Sequence, residues 1–101
     1  MISVTWMMDA DRNIEYLECR DEEAGSNKAD VVKVYFYDKY DVRMIKGKKL
    51  EMRIAWAIFS NRAKYGDIID AYLEVFNDII YFRIGTNAEI YNEHWPIKNR
   101  E

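Results

Sequence analysis

Apolar residues alternate with polar ones at the start of the chain: Ile2, Val4, Trp6 and Met8 are interleaved with Ser3, Thr5 and Met7. Strand side chains point alternately to opposite faces, so this pattern predicts a strand with one buried side. Asp9-Ala10-Asp11-Arg12-Asn13 is dense in turn formers, and Ile14–Cys19 reads as the returning strand of a first hairpin. A helix over 11–24, closed by Gly25, fits the same residues, because Glu, Leu and Arg favour helices. Periodicity leaves both readings open.

Val31–Tyr37 is the clearest strand, with Val32, Val34 and Phe36 facing a core and Lys33, Tyr35 and Tyr37 on the other side. Asp38–Asp41 is expected to turn the chain, and Val42–Ile45 to pair back or extend. Lys46-Gly47-Lys48 interrupts the pattern. One main helix, about 48–65, is expected next, ending at a left-handed Gly66. On it Leu50, Ile54, Ala57, Ile58 and Tyr65 share one face, while Met52, Trp56, Phe59 and Ala63 lie nearly opposite. A surface helix normally has one apolar stripe, so two faces call for two coverings. The sheet supplies one, and more of this chain or a second molecule supplies the other.

The stretch Ala71–Ile84 sorts itself when folded at Asn77-Asp78. Ala71, Leu73 and Val75 then meet Ile80, Phe82 and Ile84 on one face. The other face carries Tyr72, Glu74 and Phe76 against Ile79, Tyr81 and Arg83. Asn and Asp tolerate the positive φ that a two-residue hairpin loop requires. A helix with an Ile69, Tyr72, Leu73, Phe76, Ile80 stripe competes, but it leaves Ile68, Ala71, Val75 and Ile79 off the stripe. Gly85-Thr86-Asn87 forms a turn, and 88–95 forms a short helix or edge strand stopped by Pro96. The expected architecture is a single α+β domain spanning 1–101, with β-hairpins in an antiparallel sheet and one helix packed on it.

A chain of 101 residues, half of them hydrophobic and a third charged, can bury a core without disulfides or metal. The single Cys19 fits a reducing compartment, and no leader or membrane-spanning run is apparent, so the expected location is cytoplasmic. The net charge of −3 conceals segregation, with −5 over residues 1–30, +6 over 31–66 and −4 over 67–101. Acidic and basic segments facing each other in the fold explain this most simply. The polar loop from Asp21 to Lys28 is the expected mobile segment, and residues 98–101 are expected to fray.

Asp9-x-Asp11-x-Asn13 opens like a calcium-binding loop, but Ile14 stands where glycine is needed and Arg20 where the bidentate Glu belongs. One histidine, His94, and one cysteine cannot build a structural zinc site within one chain. Phosphate-binding glycine loops and nucleophile turns are absent from the sequence, and no cofactor is expected. Asp67, Asp70 and Glu74 are the acids that a small metal-dependent hydrolase would use, and this is the weakest of three functional readings. A nucleic-acid-binding role would use the basic segment Lys46, Lys48, Lys49, Arg53 and Lys64, with Tyr35 and Tyr37 available for stacking.

The favoured expectation is a non-enzymatic protein-binding module, inhibitor- or adaptor-like, that occludes a partner's surface. Aromatic residues dominate interface hot spots, which singles out Trp56, Phe59, Tyr35, Tyr37 and Trp95. Asp9, Asp11, Glu22 and Glu23 could steer a basic hetero-partner, such as a nucleic-acid-handling protein. Self-association through the 49–65 helix is the simplest version. In composition the chain resembles the small, acidic, aromatic-rich proteins that viruses and mobile elements encode. That likeness carries over no individual residue.

Overall fold

A computed structural model describes residues 1–22 and 29–98. Its backbone is a six-stranded sheet in sequential order, formed by β1 (Ile2–Asp9), β2 (Ile14–Glu22), β3 (Ala29–Phe36), β4 (Ile68–Phe76), β5 (Ile79–Thr86) and β6 (Ile90–Pro96). Neighbouring strands are antiparallel except β3 and β4, which are parallel. A parallel pair needs a crossover, and the helices α1 (Lys39–Lys48), α2 (Glu51–Ser60) and α3 (Arg62–Tyr65) supply it. The fold is α+β, as the alternation of apolar residues implies.

Both hairpins form where the sequence places them. In the second, Ala71 pairs with Ile84, Leu73 with Phe82 and Val75 with Ile80. Asn77 and Asp78 have φ of 51° and 60°, the left-handed pair of a type I′ turn. The first hairpin pairs Trp6 with Leu17 and Val4 with Cys19, which excludes the 11–24 helix. Residues 88–95 contribute an edge strand, β6.

Two expectations are corrected. Asp38–Ile45 is not a turn and a strand. Asp38 caps α1: its carboxylate accepts the Asp41 amide hydrogen, and the Asp41 carboxylate accepts the Asp38 amide hydrogen. That reciprocal capping box satisfies helix donors which a turn would leave open. Nor is 48–65 one rod. α1 runs through Gly47 and stops at Lys49, whose φ of 55° reverses the chain, with the Leu50 amide donating back to the Ile45 carbonyl. A second break falls at Asn61, and Gly66 ends α3 with φ 68°.

All three helices lie on one side of the sheet. Leu17, Cys19, Val34, Leu73, Phe82 and Ile84 from the strands enclose Ile45, Ile54, Ala55 and Ile58 from the helices, with almost no exposure. Burial pushes the Cys19 thiol up to about 12, as does the nearby Glu18 carboxylate. It is a core hydrophobe rather than a reactive thiol. α3 is tied to β6: Glu93 accepts from the Tyr65 hydroxyl and the Lys64 ammonium, and the Tyr91 hydroxyl donates to the Lys64 carbonyl. The basic central segment therefore pairs with both acidic flanks, through Lys46–Glu15, Arg62–Asp30 and Lys64–Glu93.

Candidate functional site

Among the described residues, helices lie on one face of the sheet only and no layer covers the opposite face. Alternation along each strand decides what that face displays. Across the middle run Met7, Tyr16, Tyr35, Tyr72, Arg83 and Asn92, placed beside one another by strand register except Tyr16 and Tyr35, which adjoin by ring contact just beyond the Leu17–Val34 pair. The rings of Tyr16 and Tyr35 lie 5.2 Å apart, those of Tyr35 and Tyr72 5.8 Å, and those of Tyr72 and Tyr37 6.0 Å. The Arg12 guanidinium sits 4.9 Å from the centre of Tyr35, and the Lys33 ammonium 5.4 Å from that of Tyr16. Tilted rings at this spacing under cationic caps form a pre-packed aromatic row.

Two shallow clefts flank the row. One, of about 440 Å³, is lined by Tyr37, Glu74, Tyr81, Arg83 and His94, among others. The other, of about 490 Å³, includes Arg12, Lys33, Tyr35, Ile69, Asp70 and Tyr72. Tyr37 is 55% exposed and Tyr81 41%. Acids and bases alternate across this face, with Lys33, Arg12 and Arg83 set among Glu18, Asp70 and Glu74, so it presents no single-sign field.

The aromatic residues singled out from the sequence divide between two sides of the molecule. Tyr35 and Tyr37 belong to the open face. Trp56 projects from α2 on the helical side with 59% exposure. Phe59 is only 9% exposed and belongs to the core. Trp95 also faces the helical side, where it stacks on Phe82 with ring centres 5.2 Å apart. Phe59 and Trp95 therefore complete the fold, and packing supplies the reason. Tyr72, Tyr81, Arg83 and His94 of the open face were not singled out, although the alternation in the Ala71–Ile84 hairpin had already placed three of them together.

Of the acids read as steering groups, Asp9 is committed to the first hairpin. Its carboxylate accepts the Asp11 and Arg12 amide hydrogens at 3.0 and 3.2 Å. The Arg12 amide leads the causes that hold its carboxyl below the ordinary value. Asp11 is exposed at the same turn, and Glu22 ends β2. Glu23, most of the Asp21–Lys28 loop and residues 99–101 lie outside the described residues.

The basic segment does not make one stripe, because two helix breaks spread it over three helices. Lys46 pairs with Glu15 at 2.8 Å and lies over the Trp6 ring. Arg53 donates to the Pro96 and Ile97 carbonyls, and Lys64 pairs with Glu93. Lys48 and Lys49 are exposed where α1 ends. Asp70 and Glu74 reach opposite flanks of the tyrosine row, and Asp67 precedes β4. Among the described residues no three His, Cys, Asp or Glu side chains converge as metal ligands. No helix among them is long and apolar enough to cross a membrane. Comparison with protein-family models, with curated proteins and with solved structures finds no match to this chain.

Proposed function

We propose that this chain is a protein-binding module whose docking surface is the open sheet face centred on Tyr35, Tyr37, Tyr72 and Tyr81. The observation that carries the reading is that, among the described residues, the helix layer covers one side of the sheet only, opposite a row of packed, half-exposed tyrosines. Tyr and Arg are enriched where interface energy concentrates: Tyr offers a large rigid ring with a polar end, and Arg a planar guanidinium with several donors. Ring-on-ring packing fixes the row before any partner arrives, which reduces the ordering cost of association. Alternating charge across the face favours a partner of mixed polarity over a polyanion. The chain acts by covering a surface of that partner, in an adaptor- or inhibitor-like role.

The test is affinity capture from the native host with the wild-type chain and with Tyr37→Ala/Tyr81→Ala, read by mass spectrometry. Both positions are exposed, so circular dichroism should show an unchanged fold. A protein retained by the wild type and lost from the variant is the expected result. Equal retention by both chains, or RNA or DNA as the retained species, would end this reading.

A further inference from the structure

The two edges of the sheet differ. β6 carries Asn92, Glu93 and His94 and ends in Pro96, the devices that discourage further strand pairing. β1 carries none of them before its last residue, Asp9. From Ile2 to Met8 it has no charge and no proline, and its register against β2 runs unbroken from Ile2–Asp21 to Asp9–Ile14. The Glu22 amide donates to the Met1 carbonyl, which makes Met1 and Glu22 a hydrogen-bonded pair. By antiparallel alternation Ser3, Thr5 and Met7 also bond inward to β2. Ile2, Val4, Trp6 and Met8 therefore present their N–H and C=O groups outward along the edge.

Two exposed apolar side chains flank this edge at opposite ends. Met8, 57% exposed, lies at its C-terminal end. Trp56, 59% exposed, reaches its N-terminal end, where Met1, Ile2, Trp56 and Phe59 line a groove of about 240 Å³. Residues 2–8 separate them, so they cannot meet within one chain. A two-fold axis through Thr5 brings them together.

We infer that β1 pairs antiparallel with β1 of a second copy of this chain, joining two six-stranded sheets edge to edge. In that register Val4 exchanges hydrogen bonds with the partner's Trp6, and Ile2 with the partner's Met8. About eight interchain hydrogen bonds follow from the outward groups. On the helical side every cross-strand pair is apolar, and on the open side Thr5 meets the partner's Thr5 and Ser3 the partner's Met7. No like charges oppose each other between residues 2 and 8. The partner's Met8 enters the groove beside Ile2, where its flexible thioether packs against Trp56. The interface is isologous, so each contact occurs twice. Self-complementarity favours a second copy over an unrelated extended peptide. The open face remains free, so this pairing is independent of the partner-binding role proposed above.

Sedimentation velocity over a concentration series of the full chain tests the inference. The wild type should reach a mass about twice 12.1 kDa. Thr5 is exposed and faces its own symmetry mate, so Thr5→Lys places two ammonium groups side by side and should give a monomer with an unchanged circular dichroism spectrum. Thr5→Asp should do the same, and an equal mixture of the two variants should restore the doubled mass. Met8→Lys, at a position more than half exposed, should weaken association at least tenfold. A wild-type monomer up to about 1 mM, where association would be negligible, overturns the inference, whether or not the edge accepts an unrelated extended peptide. A dimer indifferent to both Thr5→Lys and Met8→Lys overturns it as well, since another surface would then be responsible.

Discussion

The Asp41 carboxylate, near the start of α1, accepts the Val75 amide hydrogen of β4 at 3.0 Å, and the residue is 2% exposed. Its second oxygen accepts the Asp38 amide hydrogen. One side chain thus closes the helix cap and fastens that cap to the end of a central strand. Removing it leaves a buried N–H without a partner and opens the capping box. Asp41→Ala should cost about 2–4 kcal/mol, from one buried unsatisfied donor plus the lost reciprocal half of the capping box. Asp41→Asn keeps one acceptor oxygen and should cost less. Urea denaturation measures both, and a midpoint for Asp41→Ala unchanged from the wild type would refute the linchpin role.

Asn77 and Asp78 both occupy the left-handed region, with φ of 51° and 60°. Glycine reaches that region without a Cβ clash, and Asn-Gly is the preferred type I′ pair. The Ile97 amide donates to the Asp78 carbonyl, a backbone contact that survives substitution. Asp78→Gly should therefore stabilise the chain by about 0.5–1 kcal/mol, relief of strain outweighing the added unfolded-state entropy. A lower thermal midpoint would show that the Asp78 side chain contributes something beyond turn geometry.

Phe59 and Trp56 sit three residues apart on α2, yet one is 9% exposed and the other 59%. Phe59→Ala should cost about 3–5 kcal/mol, the range for a buried aromatic truncated to alanine. Trp56→Ala should change the stability of the isolated chain by less than about 1 kcal/mol. Comparing the two at a concentration too low for association separates core from surface. Equal losses would contradict the placement of α2.

The pH dependence of stability should contain two opposing contributions. Burial tends to raise the Glu93 carboxyl, but hydrogen bonds from Lys64 and Tyr65 and the Lys64 charge outweigh it and leave the value below the ordinary 4.5. A lowered folded value means that this contribution is complete above 4.5 and fades as pH falls through the folded value. Burial pushes Asp41 the other way, above 3.8, despite the Val75 and Asp38 amides. Its contribution is complete below 3.8 and is lost as pH rises through the folded value. The advantage of wild type over Glu93→Gln should shrink on acidification, whereas the advantage of wild type over Asp41→Asn should not. Denaturation curves between about pH 3 and 7 check both signs, and a Glu93→Gln difference constant across that range would contradict the first.

Tyr65 is 3% exposed, and its hydroxyl donates to Glu93. Burial, reinforced by the Glu93 carboxylate, raises the phenol above its ordinary 10.0. Tyr65→Phe keeps the ring and removes the donor, so about 1.5 kcal/mol should be lost, as for a hydrogen bond to a charged group. The Glu93 value should move upward by NMR titration. A stability loss without that movement would mean that the hydroxyl does not act through Glu93.

The sequence by itself determined the second hairpin and its register, whereas the first competed with a helix over 11–24 until the pairing of β1 with β2 decided it. Side chains that alternate between faces must place Ala71, Leu73 and Val75 together, and Asn77-Asp78 is the point where the chain can reverse. It also held the capping box at Asp38 and Asp41, which passed for a turn because the same residue types serve both purposes. Lys46-Gly47-Lys48 marked an interruption close to the true one at Lys49, but not that a helix precedes it, and the break at Asn61 was not legible, since no glycine or proline marks it. Which aromatics are buried was decided in three dimensions. Phe59, Trp95 and Trp56 all suit a greasy surface in one dimension, and only the path of α2 over β1 and the stacking of Trp95 on Phe82 separate core from exterior. The tyrosine row was a tertiary outcome too. Its rings come from β2, β3 and β4, and a parallel crossover of some thirty residues, 37–67, sets Tyr35 beside Tyr72. Local periodicity says which face a side chain takes within its own strand, but nothing local says which strand will lie next to it.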